Sequence, residues 1–243
     1  MSKILFVHLS DIHLETLGDN ILRKAVSVAT AISTSGERHE QIILVVTGDI
    51  AYSGKISQYK IAEEFLNTIK ESLRNKFAAD VNIVVVPGNH DCNFEANGNE
   101  TRAAILETIR KRKNGTISLE ILTACCAVQS EFDSFRKNIT TLIPYESDSL
   151  WHKYSITVGI HRVLIHGVNT AWSSELGNGL GAHEFPTDQY QKQTSDIADL
   201  RVLLMHHPYH WLNNARYREF EKRARFAPSR KLPTASSVAL IGI

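Results

Sequence analysis

The chain has 243 residues, 43% of them apolar and 22% charged, with 27 Lys and Arg against 26 Asp and Glu. That length permits one substantial core, and the composition excludes collagen-like, coiled-coil and wholly disordered chains. A formal net charge of +1 excludes a generally basic nucleic-acid coat, so function has to come from local constellations.

The chain opens on Met1-Ser2-Lys3 and a four-residue apolar run, Ile4 to Val7, before His8. The run is too short for a signal-peptide core, and nothing later approaches the roughly eighteen apolar residues that span a bilayer. Cys92, Cys125 and Cys126 cannot all pair within one chain. They read as reduced thiols, and the protein as cytoplasmic without membrane attachment.

Short Val- and Ile-rich runs recur at Ile4 to Val7, Ile42 to Val46, Val81 to Val86, Val163 to Ile165 and Val202 to Met205. They are continuous rather than alternating, as strands buried on both faces are. Between the first three lie apolar residues at helical spacing. Ile21, Leu22, Ala25, Val28, Ala29 and Ile32 form one set, and Ala62, Phe65, Leu66, Ile69 and Leu73 the other. This order implies helices packed on a sheet. Residues 100–138 hold two more helical patterns broken at Asn114-Gly115 and read as a helical insert or cap. Gly159-Ile160 joins a hairpin, Gly177, Gly179 and Gly181 mark a loop, and Val238 to Ile241 forms a last strand. With no repeat and no linker, residues 1–243 read as one domain.

Chemistry gathers behind the strands. Asp11-Ile12-His13 follows the first, Gly48-Asp49 the second, Gly88-Asn89-His90-Asp91 the third and His206-His207-Pro208 the run ending at Met205. Ligands of open α/β sheets bind beyond the carboxyl ends of the strands, so these residues are expected to converge on one site. Turn chemistry explains the Asp residues singly but not the imidazoles. In an extended segment Asp11 and His13 would point the same way and hold one ion. Asp49 has two oxygens and can bridge two ions, while Asn89 offers an amide oxygen and His206 an imidazole nitrogen. A nitrogen and oxygen set without thiolate suits Mn, Fe, Zn or Ni, with Mn favoured. Two ions about 3.5–4 Å apart can activate a water and clamp a phosphoryl group. Gly48 and Gly88 would let the backbone approach them. His90 would face the substrate, stabilising developing charge or protonating the leaving oxygen, and Asp91 would fix its tautomer.

These four blocks, in this order, resemble the calcineurin-like metallophosphoesterases from about Lys3 to Pro208. The resemblance implies an α/β fold in which a two-sheet β-sandwich is flanked by helices in four layers (αββα). It also implies a dinuclear site of two divalent metal ions and hydrolysis of phosphoester bonds, with phosphodiesters favoured. The metal-ligand role in the fourth block falls to His206 and not to His207. The family's fifth block, Gly-His-x-His, would begin where the chain reads Gly242-Ile243. The domain is therefore expected to be truncated before its last motif, with the remaining ligands in a longer parent protein or replaced by a spare imidazole such as His166, His183 or His210. The competing readings are a weakly active or inactive binding or regulatory module and a nuclease subunit. A nucleic-acid partner is not favoured. Arg216 to Arg225 is offset by Glu219 and Glu221 and reads as a solvated helix face, and the nearby aromatics Tyr209, Trp211, Tyr217 and Phe220 read as core. His8, Cys92, Cys125 and Cys126 read as packing residues, and His166 as core or as support for a ligand.

Overall fold

A computed structural model describes residues 3–16, 24–33, 39–95, 99–112, 116–194, 196–213 and 238–242. The first half alternates β1 (Ile4–Leu9), α1 (Ala25–Ser33), β2 (Gln41–Thr47), α2 (Ile56–Phe77) and β3 (Asp80–Val86). Three helices follow: α3 (Asn99–Lys111), α4 (Leu119–Cys126) and α5 (Ser130–Ile139). The second half is β4 (Glu146–Ser147), β5 (Trp151–Val158), β6 (His161–Val168), β7 (Leu200–Leu204) and β8 (Val238–Gly242).

The strands form two sheets, in the orders β3-β2-β1-β8 and β4-β5-β6-β7. The first is parallel throughout. In the second, β5 and β6 form the expected hairpin, closed from Val158 to His161 with Gly159 at φ 59°, and β7 adds parallel to β6. The first sheet explains the continuous apolar runs. Leu5, Val7, Leu44, Val46, Ile83 and Val85 face α1, α2 and α5. Their neighbours Ile4, Phe6, Ile43, Val45, Val84 and Val86 face Tyr154, Val163 and Ile165 of the second sheet. Each fully buried Val, Leu or Ile contributes about 1.5–3 kcal/mol, so both faces drive the sandwich together. Beyond the second sheet, Leu106 of α3 and Leu122 of α4 pack with Trp151, Val168 and Trp172. The architecture is the expected two-sheet sandwich flanked by helices. No helix among the described residues is long and apolar enough to cross a membrane.

Two expectations are corrected. The 100–138 segment holds three helices rather than two, and the last is no cap: Phe132, Phe135 and Ile139 of α5 belong to the core against α2 and β3. The aromatic stacking of Phe135 on Tyr59, with ring centroids 5.0 Å apart, locks α5 there. The run ending at Met205 belongs to the second sheet and is half-buried over most of its length, so His206 reaches the strand ends from a different sheet than Asp11, Asp49 and Asn89. Ile21, Leu22, Asn114-Gly115, Arg216 to Arg225, Tyr217 and Phe220 lie outside the described residues. Strand β8 lies beside β1 with Gly242 opposite His8, so it runs toward the edge where Asp11 stands.

Candidate metal centre

The loops after β1 and β2 run side by side. The amide of Asp11 donates to the Gly48 carbonyl (3.2 Å), that of His13 to Asp49 (2.9 Å) and that of Leu14 to Ile50 (2.8 Å). To keep this pairing while turning, Asp11, His13 and Asp49 adopt left-handed φ values of 56°, 53° and 52°. The segment is therefore not extended, as simple alternation predicted. Asp and His tolerate this region better than most residues, yet a sparsely populated backbone well costs about 1–3 kcal/mol and gathers at functional sites.

Glycines set the spacing between loops. A Cβ on Gly88 would stand 2.1 Å from Asp49 Oδ1, and one on Gly48 2.6 Å from the His206 ring. Gly48 also has φ 85°. Both contacts forbid a side chain, as expected for glycines that let two loops and a ligand meet.

Asp49 is the centre of the arrangement. The residue is 4% exposed, and its Oδ1 accepts the His90 amide proton at 2.9 Å. Its Oδ2 lies 3.4 Å from His206 Nε2 and 3.9 Å from His13 Nε2. Burial pushes the Asp49 carboxyl upward, but the His206 hydrogen bond and charge and the His90 amide outweigh it and hold the group below its ordinary range. The partner shift is opposite: burial pushes His206 down, and Asp49 with the Thr47 carbonyl raises it overall. Two sets of donor atoms gather within 4.8 Å, Asp11 with Asp49 and His206, and His13 with Asp49 and His90. Asp49 belongs to both. His13 thus stands with His90 rather than with Asp11, the partner that an extended segment predicted.

The donor set fits divalent ions. His206 Nδ1 donates to the Thr47 carbonyl at 2.7 Å and His90 Nδ1 to the Tyr52 carbonyl at 2.7 Å. The first bond leaves His206 Nε2 facing Asp49, which is how ligating imidazoles are oriented. Among the described residues, neither Asp11 nor Asp49 is paired with a lysine or arginine, and the groups facing Asp49 are imidazoles that can themselves ligate.

Asp91 has another job than the one expected. It does not hold His90. Fully buried, it accepts from the amides of Gly88 (2.9 Å), Ala51 (3.0 Å) and Ile50 (3.3 Å) and from the Tyr59 hydroxyl (3.1 Å). It thereby ties the β2 loop to the β3 loop. Burial pushes its carboxyl up to about 6 despite these bonds. The Tyr52 carbonyl orients His90 instead, a role no side-chain pattern could reveal. Asn89 begins a single turn of 3-10 helix (Asn89–Asp91), and its Oδ1 lies 3.1 Å from His207 Nε2.

A cleft of about 440 Å³ opens beside His90. Tyr52, Phe94 and Trp211 supply its aromatic wall, and the loop at Leu176–Asn178 closes another side. His183 lines it too, stacked on His207 with ring centroids 3.8 Å apart. Of the spare imidazoles, His183 is therefore beside the centre. His166 is buried against the Trp151 indole, which donates to its Nδ1 at 3.1 Å, and His210 is exposed. His8 is held by the Thr47 hydroxyl at 2.6 Å. Cys92 is buried with its thiol pushed up to about 12 by desolvation, which suits packing rather than ligation.

Fold and donors together define an α/β sandwich with a carboxylate–imidazole cluster of the kind that holds divalent ions. The chain belongs to the calcineurin-like phosphoesterase family, whose description matches residues 4–227. Proteins of this family generally bind divalent metal ions. It is also similar to the uncharacterized metallophosphoesterase-like protein YydB of Bacillus subtilis (strain 168), at 27% identity over 120 residues. That match covers 49% of this chain and 23% of YydB, so the chain spans about a quarter of the relative's length.

Proposed function

We propose that the chain hydrolyses phosphoesters, diesters in preference to monoesters, at a centre of two divalent ions that share Asp49. The observation that carries this reading is the membership of Asp49 in both donor sets. Asp11, His13, Asp49, Asn89 and His206 would hold the ions, with manganese favoured by the carboxylate and amide oxygens of the set. When bound, the ions supply positive charge for the phosphoryl oxygens and acidify the attacking water.

His90 acts on the leaving group. The Tyr52 carbonyl accepts its Nδ1 proton whether the ring is neutral or charged. A proton on Nε2 can then pass to the departing oxygen without reorienting the ring. The cleft beside it receives the leaving group. Among the described residues lining that cleft there is no lysine or arginine. A monoester dianion has more charge to be held there than a diester monoanion, and the aromatic wall suits the organic substituent of a diester.

Turnover of bis(4-nitrophenyl) phosphate and of 4-nitrophenyl phosphate with added manganese tests this. The diester should give the larger kcat/KM, and Asp49→Ala should lose at least about a thousandfold, as removal of a central electrostatic group does. Faster cleavage of the monoester would overturn the substrate preference, and no metal-dependent cleavage of either ester would overturn the activity.

A further inference from the structure

An asparagine ligand carries an ambiguity that a carboxylate does not. Its terminal torsion is broad and roughly two-fold, so either the oxygen or the NH2 group can face a cation, and only the oxygen binds. Something must select the oxygen of Asn89.

His207 stands where that choice is made. Its Nε2 is 3.1 Å from Asn89 Oδ1. The residue is 2% exposed, its amide donates to Thr170 Oγ1 at 3.0 Å, and its ring stacks on His183 (3.8 Å, 25°) and on Trp211 (5.4 Å, 27°). Such a ring does not swing freely. Its Nδ1 is buried without a hydrogen-bond partner. A proton on Nδ1 would therefore be an orphaned buried donor, which is rare, whereas a proton on Nε2 is used at once by Asn89. The packing thus selects the tautomer protonated on Nε2. An amide oxygen has two lone pairs: one accepts from His207, and the other stays open.

We infer that His207 is a positioning residue, whose Nε2–H holds the Asn89 carboxamide with its oxygen, not its NH2 group, presented to the ion. The inference rests on the two-ion reading above. It also accounts for the second imidazole of the His206-His207-Pro208 block, which that reading leaves without a task.

The test is a manganese titration of the metal-free full chain, read by the paramagnetic resonance signal of free aqueous Mn²⁺. Thermal unfolding of each metal-free variant is followed in parallel. His207→Phe keeps a stacking ring but has no donor, His207→Ala loses both, and His207→Gln loses the ring but restores an N–H. The first two should weaken binding of one ion by about tenfold or more, and Gln should recover most of that loss, as expected for the hydrogen-bond partner of a ligand. A purely structural role predicts the reverse pattern, with Phe like the parent and Gln as poor as Ala, and either result overturns the inference. Should the Phe variant fail to fold, the contrast between Ala and Gln decides. Absence of manganese binding by the parent chain would instead remove the two-ion reading and this inference with it. A parent that binds while Phe binds equally well removes only the inference.

Discussion

The first sheet brings its candidate ligands to the centre on three strand ends whose loops hydrogen-bond to one another, whereas the second sheet reaches the same place from a single strand end, Leu204 to His207. On the first sheet the backbone itself enforces the geometry: paired amides, three left-handed side-chain-bearing residues and two glycines in contact with Asp49 and His206. On the second, His206 is held through its ring, by the Thr47 carbonyl and by Asp49. The difference teaches where the centre is tied to stability. Disturbing the first sheet's loops should damage fold and ion binding together, and disturbing the second sheet's end should damage ion binding alone.

The largest effect is expected at Gly88→Ala. Its Cβ would overlap Asp49 Oδ1 at 2.1 Å and the Asp49 amide nitrogen at 2.5 Å, so backbone must move. A loss above about 4 kcal/mol, the range of overpacked or strained sites, should appear in urea melts together with lost manganese binding. Melting like the parent's would break the comparison. Asp91→Ala comes next, since it strands three amides and leaves the Tyr59 hydroxyl only the main-chain carbonyl of residue 91. At about 1–3 kcal/mol for an unsatisfied buried group, partly relieved by water, a loss of at least about 3 kcal/mol is expected. On the other side, His206→Ala should weaken manganese binding by at least about a hundredfold, beyond what support residues of a ligand usually cost, while metal-free melts shift far less than for Gly88→Ala. Comparable losses of stability in the two variants would remove the distinction.

A smaller effect belongs to the body of the second sheet. His152 is pushed down to about 3 and His166 to about 4, in both cases chiefly by burial. Each stays neutral in the fold and takes up a proton on unfolding, so the unfolded chain binds more protons between about pH 6.5 and pH 4. Stability should fall as the pH drops through that window, by up to about 1.4 kcal/mol per pH unit for each histidine. Urea melts at a series of pH values check this, and His152→Gln should reduce the slope. A slope unchanged by that substitution would show that His152 is not buried as described.

Much of this was written in the residues. Continuous Val and Ile runs identify the strands of the first sheet covered on both faces, and the Asp and His residues behind the strands do meet at one edge. What stayed hidden has a physical reason in each case. The Tyr52 and Thr47 carbonyls that orient His90 and His206 are main-chain groups, which any residue type supplies. Asp91 follows a histidine, an adjacency that predicts partnership, but a fully buried carboxylate finds amides, and three lie within reach. That β7 joins the second sheet depends on pairing with β6, a non-local choice that apolar patterning does not encode. The left-handed turns at Asp11 and His13 arise from the neighbouring β2 loop and leave no mark in their own segment.

Anomalous diffraction from crystals of the chain grown with manganese tests the shared carboxylate most directly. The account predicts two peaks about 3.5–4 Å apart, the spacing of paired catalytic ions, with an Asp49 oxygen bound to each. Manganese found elsewhere, or bound here without Asp49 in contact, would contradict it.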